Sequence, residues 1–108
     1  MKIMNRVEDR AAISEKDFER SMKALANRRR LAILRFLKKG KEKEKKKEIE
    51  ASVGDIAEEI RLSFKATSKH LGILSAAGIV DREQRSLQMF YRLSTDLPAP
   101  ARSIISLL

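Results

Sequence analysis

The stretch from Ser52 to Leu93, SVGDIAEEIRLSFKATSKHLGILSAAGIVDREQRSLQMFYRL, decides the fold of this chain. Its first and middle parts carry apolar residues at three- and four-residue spacing, which predicts two amphipathic helices. Its last part alternates apolar and polar residues, which predicts a pair of strands. Two short helices followed by a β-hairpin are the element order of a winged helix-turn-helix domain.

The first predicted helix begins at Ser52, because a serine side chain can accept a hydrogen bond from the first turn of a helix. Leu62 and Ser63 form the turn after this helix. Ser63 is expected to cap the second helix, and Leu62 to fill the angle between the two helices. The apolar stripe of the first helix consists of Val53, Ile56, Ala57 and Ile60.

The second predicted helix has Thr67, Leu71 and Leu74 on its buried face. The first turns of a recognition helix lie closest to the base edges, and their backbone amides favour a phosphate. Lysine supplies charge to phosphate or guanine, and serine and threonine form hydrogen bonds with either. The expected contacts of this helix with the major groove of DNA are Ser63, Lys65, Thr67, Ser68, Lys69 and His70.

The strand pair begins after Gly78, which occupies the position where a left-handed C-cap is needed. The alternation predicts a turn at Arg85-Ser86 and inward-facing Ile79, Leu87, Met89 and Tyr91. A hairpin with arginines at its tip corresponds to a wing. The polar residues that can face solvent or DNA are Arg82, Gln84, Arg85, Gln88 and Arg92. All of these except Gln88 are expected DNA contacts.

The segments MKALANRRRLAIL, SVGDIAEEIRLS, TSKHLGILSAAGIVDRE and MFYRL follow one another between about Ser21 and Leu93. In this order and spacing the chain resembles the ArsR (arsenic-repressor-type) family of winged-helix transcription regulators. The resemblance implies a mainly α fold of about five helices plus a two-stranded wing. It also implies double-stranded DNA as partner and a homodimer formed through the first and the C-terminal helices.

Composition agrees with a nucleic-acid partner. The chain has 108 residues, enough for one domain with a modest core, and a formal net charge of +9. This charge does not by itself distinguish DNA from RNA or a membrane surface. The alternative function is therefore a winged helix that binds RNA or another protein.

Several other classes are excluded or disfavoured by the residues that the chain lacks. It has no cysteine, which excludes disulfides, thiolate metal sites and thiol redox sensing. No run approaches the roughly 18 apolar residues of a membrane span, and the first residues lack the apolar core of a signal peptide, so we expect a cytoplasmic protein. Without a catalytic Ser/His/Asp grouping or a phosphate-binding glycine loop, no enzymatic activity and no cofactor are expected.

Metal control is not expected either. In the family, the metal ligands are cysteines flanking the segment that matches SVGDIA, or His and acidic residues on the C-terminal helix. This chain has Ser52 and Ala57 at the first site and PAPARSIISLL at the second. Its single histidine, His70, falls in the S-x-H-L motif, where packing or hydrogen bonding and contact with DNA are both open.

The N-terminal part of the chain is expected to begin with a flexible arm, residues 1–13, before the domain at 14–108. Ser14 caps a first helix whose apolar stripe is Phe18, Met22 and Leu25, suited to the core and to a dimer interface. Asn27 caps the next helix. Arg28, Arg29 and Arg30 at its start oppose the helix dipole, so acidic side chains or a DNA phosphate must compensate. Arg30 is counted among the expected DNA contacts, while the resemblance implies a structural role for it.

Two segments complete the organisation. Gly40 is expected to end the second helix of the domain, before the charged run at 41–50, interpreted as a solvated loop, a helix extension or a phosphate-contacting arm, with Ile49 in a short strand. Pro98 and Pro100 lie where a last helix begins. Its apolar residues, expected to be buried in a two-fold dimer, are Ala101, Ile104, Ile105, Leu107 and Leu108.

Overall fold

The computed structural model describes residues 13–44 and 49–108. These residues form five helices and three strands. In chain order they are α1 (Glu15–Leu25), α2 (Arg28–Glu44), β1 (Ala51–Ser52), α3 (Val53–Ile60), α4 (Phe64–Ala76), β2 (Val80–Arg85), β3 (Gln88–Leu93) and α5 (Ala99–Ser106).

The predicted helix caps are all present. Ser14 Oγ accepts a hydrogen bond from the Asp17 amide (3.0 Å), and Asn27 Oδ1 accepts from the amides of Arg29 (2.9 Å) and Arg30 (3.1 Å). Ser52 and Ser63 cap α3 and α4 in the same way. The helix starts are therefore fixed by local sequence, since each cap satisfies backbone amides that have no partner within the helix.

Gly78 ends α4 as predicted, with a φ of 74°. Its amide donates to the Ser75 carbonyl and the Ile79 amide donates to the Leu74 carbonyl, both at 3.0 Å. These two bonds form a Schellman motif, which requires a left-handed residue between them. The motif reverses the chain so that β2 starts beside the helix it follows.

The second helix of the domain is longer than predicted. Gly40 does not end α2, which continues to Glu44, so residues 41–44 of the charged run are helical and not a loop. Lysine and glutamate are good helix formers, and a single glycine costs only about 1 kcal/mol relative to alanine. Residues 45–48 of that run, and residues 1–12 of the expected N-terminal arm, lie outside the described part of the chain.

The sheet has three strands in the order β1-β3-β2, all antiparallel. The short strand expected around Ile49 lies two residues further on, where Ala51 pairs with Tyr91 and Ser52 pairs with Phe90. The hairpin turn is also displaced. Arg85 pairs with Gln88, so the turn consists of Ser86 (φ 57°) and Leu87.

This one-residue displacement corrects the prediction for Leu87. The side chain is not directed inward but is 96 % exposed, because it lies in the turn and not on a strand. A positive φ at the first of two turn residues alone is the pattern of a type II′ turn, which suits the twist of a hairpin. The inward direction of Ile79 and Tyr91 is confirmed, since both are buried.

The core lies between the helices and the inner side of the sheet. Its largest fully buried side chains include Ile33, Leu34 and Leu37 of α2 and Ile56 of α3. α5 packs on α1, and Lys38 Nζ donates to the Ile105 carbonyl (3.0 Å) at the end of α5. The polar contact stabilises the last turn of that helix, where carbonyls lack partners within the helix.

Candidate nucleic-acid interface

The turn between α3 and α4 determines how α4 is presented. Arg61 has left-handed backbone angles (φ 56°), and the Leu62 amide donates to the Ala57 carbonyl at 3.0 Å. Ser63 then starts α4 by accepting from the Ala66 amide (3.1 Å). Because both ends of this turn are fixed by hydrogen bonds, the angle between the helices is defined by the backbone itself.

One side of α4 lies in the core, as predicted. Thr67, Leu71 and Leu74 are fully buried, and the Thr67 hydroxyl has no hydrogen-bond partner within the described residues. Thr67 was also expected to contact DNA, and that expectation is wrong. A side chain packed beneath its helix cannot reach a groove on the opposite side of the helix.

The opposite side of α4 is exposed and cationic. Lys65 and Lys69 lie one turn apart, with Ser68 beside them, and all three are exposed. Within the described part of the chain, neither lysine has a hydrogen-bond or ion-pair partner. The first two turns of α4 therefore present two available charges and a hydroxyl to solvent.

A groove of about 430 Å³ separates α4 from the hairpin. Phe64 and Ser68 lie on its α4 side, and Arg82, Leu87 and Met89 on its hairpin side. The groove is open, so it is a surface on which a second molecule can lie and not an enclosed ligand cavity.

The two faces of the hairpin carry different side chains, because alternate residues of a strand point to opposite faces. Arg82 pairs with Tyr91 and Gln84 pairs with Met89, so these residues share the face towards α4, here called the front face. The other face, here called the back face, includes Glu83, Arg85, Phe90 and Arg92. Arg82 and Gln84 are exposed on the front face.

The back-face arginines are held by acidic residues. Arg85 donates to Glu50, and the Arg92 guanidinium donates to the other Glu50 oxygen at 3.0 Å. Glu83 lies 3.5 Å from Arg85 and 3.7 Å from Arg92. The Arg85 guanidinium also lies 4.5 Å from the centre of the Phe90 ring, a cation–π distance.

These pairs shift the pKa values of both partners. The hydrogen bond from Arg85 lowers the pKa of Glu50 below 4.5 despite the opposing effect of desolvation, and the hydrogen bonds that Arg85 donates to Glu50 and Glu83 raise its own pKa. Glu50 was not singled out by the sequence, because it ends a Lys/Glu run that has the composition of a solvated segment. The signal that could have identified Glu50 was its position: it is a carboxylate next to β1, and β1 pairs with the arginine-bearing strand β3.

Arg30 has the structural role that the family resemblance implied. Its Nε donates to the Ala24 carbonyl (2.7 Å), a second nitrogen donates to the Lys23 carbonyl (3.2 Å), and a third lies 3.1 Å from His70 Nδ1. The carbonyls at the end of α1 compensate the charge. A phosphate contact from Arg30, which was also expected, remains a prediction, and Arg30 would have to make it in addition to these hydrogen bonds.

His70 lies beside Arg30 and is partly buried. Desolvation lowers its pKa below 6.5, and the charges of Arg30, Arg29 and Lys69 lower it further. Because an arginine only donates, Nδ1 accepts this hydrogen bond and the ring is neutral with its proton on Nε2. Hydrogen bonding to the α1–α2 corner is thus the role that the geometry gives His70.

The structure therefore brings together part of the predicted set. Ser68 of α4 and Arg82 of the front face line the same groove, while Lys65 and Lys69 are exposed beside Ser68 and Gln84 is exposed on the same hairpin face as Arg82. Ser63 lies at the start of the same helix, where its hydroxyl is occupied as a cap. The predicted residues outside this group are Thr67, His70, Arg30, Arg85 and Arg92.

No three residues among His, Cys, Asp and Glu come together as a metal-binding group in the described ranges. None of the helices described has the length and apolar character that a membrane crossing requires.

A capped second helix, presented outward by a short turn and flanked by a hairpin, defines the class of winged helix-turn-helix proteins. Comparison with known proteins places the chain within that class. The family described as "Bacterial regulatory protein, arsR family" matches residues 27–82, just over half of the chain. The chain belongs to this family of transcription regulators.

Curated relatives have opposite regulatory directions. The transcriptional activator HlyU of Vibrio cholerae is 36 % identical over 74 residues, which are 68 % of this chain and 60 % of HlyU. The biofilm growth-associated repressor of Agrobacterium fabrum is 35 % identical over 78 residues, which are 72 % of this chain and 59 % of the repressor. The matches thus span about three fifths of the length of these relatives.

Solved structures agree with this assignment. Reduced HlyU from Vibrio cholerae superposes on the chain with a TM-score of 0.66 at 29 % identity, covering 100 % of this chain and 94 % of that one. The homodimeric winged helix-turn-helix DNA-binding domain Mb0332 from Mycobacterium bovis gives a TM-score of 0.67 at 26 % identity, covering 85 % and 74 %. The predicted fold and family are confirmed, and membership of a regulator family confirms that the chain is not an enzyme.

Proposed function

We propose that this chain is a cytoplasmic, sequence-specific transcription regulator that binds double-stranded DNA as a homodimer and acts as a repressor. The observation that carries the proposal is the exposed face of α4, where Lys65 and Lys69 lie beside Ser68, a residue that lines the open groove together with the front face of the hairpin. A major groove is wide enough to admit such a helix.

Charge supports duplex DNA as the partner. The formal net charge is +9, and neither lysine of α4 nor Arg82 is neutralised by an acidic side chain in the described part of the chain. Cations without internal partners can replace the counterions of a phosphate backbone, which is the main source of affinity in protein–DNA complexes.

The proposed homodimer uses α1 and α5. These helices pack on each other and leave apolar side chains uncovered: Phe18 (47 % exposed) and Met22 (42 %) on α1, and Leu107 (81 %) just after α5. Uncovered apolar surface of this kind marks an association site. The homodimeric Mycobacterium bovis relative supports the same state, and a two-fold axis would place two α4 helices about one DNA turn, ~34 Å, apart.

Repression is proposed because the biofilm growth-associated relative from Agrobacterium fabrum is a repressor. A winged helix that occupies DNA also blocks access of other proteins to the same site. Metal control is left out of the proposal, because the family's ligand positions are held by Ser52 and Ala57 and by a C-terminal segment without ligands.

The proposal is tested by fluorescence anisotropy with labelled duplex DNA, single-stranded RNA and a heparin competitor. The duplex should bind in preference to RNA, with an affinity that falls steeply with salt at a log–log slope of about −0.9 for each phosphate contacted. Preference for RNA, or complete displacement by trace heparin with no sequence preference, would contradict it. Sedimentation of the free chain should show a dimer, and a monomer bound singly to DNA would refute the proposed assembly.

A further inference from the structure

Phe64 is the first residue of α4 and is 63 % exposed. A phenylalanine in this state leaves most of its ring in water, an unfavourable arrangement unless a partner covers it. The exposed apolar residues of α1 and α5 belong to the proposed dimer contact. Phe64 lies instead in the groove between α4 and the hairpin, whose lining includes no residue of α1 or α5.

The surroundings of Phe64 show which kind of partner can cover it. Its ring lines the groove together with Ser68, one turn along the same helix, and with Leu87 and Met89 of the hairpin. Arg82, which also lines the groove, and Lys65, the exposed neighbour of Phe64 in α4, have no ion-pair partner in the ranges that the structure describes. A polyanion that also carries small apolar groups fits both features.

Duplex DNA has one such group in the major groove, the C5 methyl of thymine. Phenylalanine has no hydrogen-bond donor or acceptor in its side chain, so it cannot read the polar edges of the bases. At the first position of α4 it lies where a recognition helix approaches base edges most closely.

We propose that Phe64 is a specificity-determining residue that contacts the C5 methyl group of a thymine in each half-site. The inference rests on the proposed binding of α4 in the major groove and adds to it the chemistry of one base position. Discrimination there comes from apolar contact, whereas Lys65 and Lys69 supply charge.

The test uses the full chain and a duplex selected by it from random-sequence DNA. Each thymine of the half-site is replaced in turn, in both half-sites, by deoxyuridine, which removes the methyl group and keeps every hydrogen-bonding atom. At one position this replacement should lower the affinity of the chain for the duplex about fourfold for each half-site, which is the ratio expected from burial of one methyl-sized apolar group. All other positions should bind nearly as before.

Two variants assign that loss to the ring. Phe64→Ala should bind the thymine and uracil duplexes equally, and its exposed position keeps the fold intact, which far-ultraviolet circular dichroism verifies. Lys65→Ala is the matched control: it should weaken both duplexes and keep the full thymine-to-uracil ratio.

The inference is overturned if wild type is insensitive to uracil at every position, if the selected half-site has no thymine, or if Phe64→Ala keeps the ratio. These results leave the proposed function standing. Failure of the chain to select or bind any duplex would instead refute the proposed function, and the inference with it, before any uracil is introduced.

Discussion

The cations on the exposed face of α4 and those on the back face of the hairpin differ in their partners. Lys65 and Lys69 have none among the described residues, whereas Arg85 and Arg92 share the carboxylate of Glu50. Arg85 also lies over the ring of Phe90. Both regions are basic in the sequence, yet only one presents charge that is not already neutralised.

This difference separates two roles that a basic residue has in a small domain. On α4, charge is available for a phosphate or a base. On the back face, the arginines tie the hairpin to the segment before β1, so a phosphate would have to compete with Glu50 for them. The ion pairs with Glu50 thus stabilise the orientation of the wing, but they also neutralise the arginines that could otherwise contact DNA phosphates directly.

The largest expected effect comes from removing the available charge. The double variant Lys65→Ala with Lys69→Ala should lose about a hundredfold in affinity for duplex DNA and reduce the magnitude of the salt slope by about 2, since two phosphate contacts disappear. Arg85→Gln with Arg92→Gln should lose less than about tenfold. Anisotropy titrations at several salt concentrations measure both.

The control for this comparison is Lys16→Ala with Lys39→Ala, which removes the same net charge from exposed positions on α1 and α2. It should change the affinity only slightly. Equal losses from the α4 pair and the hairpin pair would break the distinction between the two regions.

A second prediction concerns Arg30, whose hydrogen bonds are internal. Arg30→Met removes donors to the Ala24 and Lys23 carbonyls and should lower the free energy of unfolding by about 2 kcal/mol, the range for hydrogen bonds from a charged group. Arg29→Met, at an exposed neighbour, should cost under about 0.5 kcal/mol. Urea denaturation at matched protein concentration compares them, and indistinguishable midpoints would argue against a structural role for Arg30.

A third prediction sharpens the role of Glu50. Glu50→Gln removes one of the two carboxylates that pair with Arg85 and Arg92, while Glu83 keeps its contacts with both, so duplex affinity should rise about fivefold with a steeper salt dependence. Glu59→Gln makes the same charge change on α3, at an exposed glutamate with no acidic or basic partner in the described residues, and should change affinity less. Weaker binding by Glu50→Gln would mean that wing orientation matters more than free charge.

The smallest effect is a dependence of stability on pH. Because burial lowers the pKa of His70 in the folded state, the unfolded chain binds the proton more tightly. The contribution of neutral His70 to the free energy of unfolding is therefore fully present above pH 6.5, and it falls as the pH drops towards the pKa of the folded state. Between pH 7.5 and 5.5 the wild-type melting temperature should fall by a few degrees more than that of His70→Asn. The asparagine oxygen replaces Nδ1 as acceptor for Arg30 without titrating, and parallel melting curves would contradict the assignment.

Much of this fold is predictable from local sequence. Ser14, Asn27, Ser52 and Ser63 each cap a helix as expected, and Gly78 adopts the left-handed conformation that the helix end requires. These features depend on residues within a few positions of one another. Local chemistry is therefore enough to place the start of α4, which carries the candidate site.

The features that could not be predicted from the sequence depend on residues far apart in the chain, or on a shift of the strand register by one residue. Moving the hairpin turn by one residue transfers Leu87 from the expected inner face to the tip, since side chains alternate along a strand. Arg85 is paired with a residue 35 positions away, which no local pattern reveals. Arg30 bonds to α1 only because the two helices meet at a corner.

The first turns of α4 should lie against duplex DNA, and the absence of cysteine from the chain allows a direct test. A single cysteine introduced by Ser68→Cys would carry an iron–EDTA group that cleaves nearby DNA, and Thr95→Cys, in the exposed turn after β3, would carry the same group as control. Cleavage is expected from position 68 at one place within each half-site of the selected duplex, and little or none from position 95. Equal cleavage from both positions, or cleavage from position 95 alone, would contradict it.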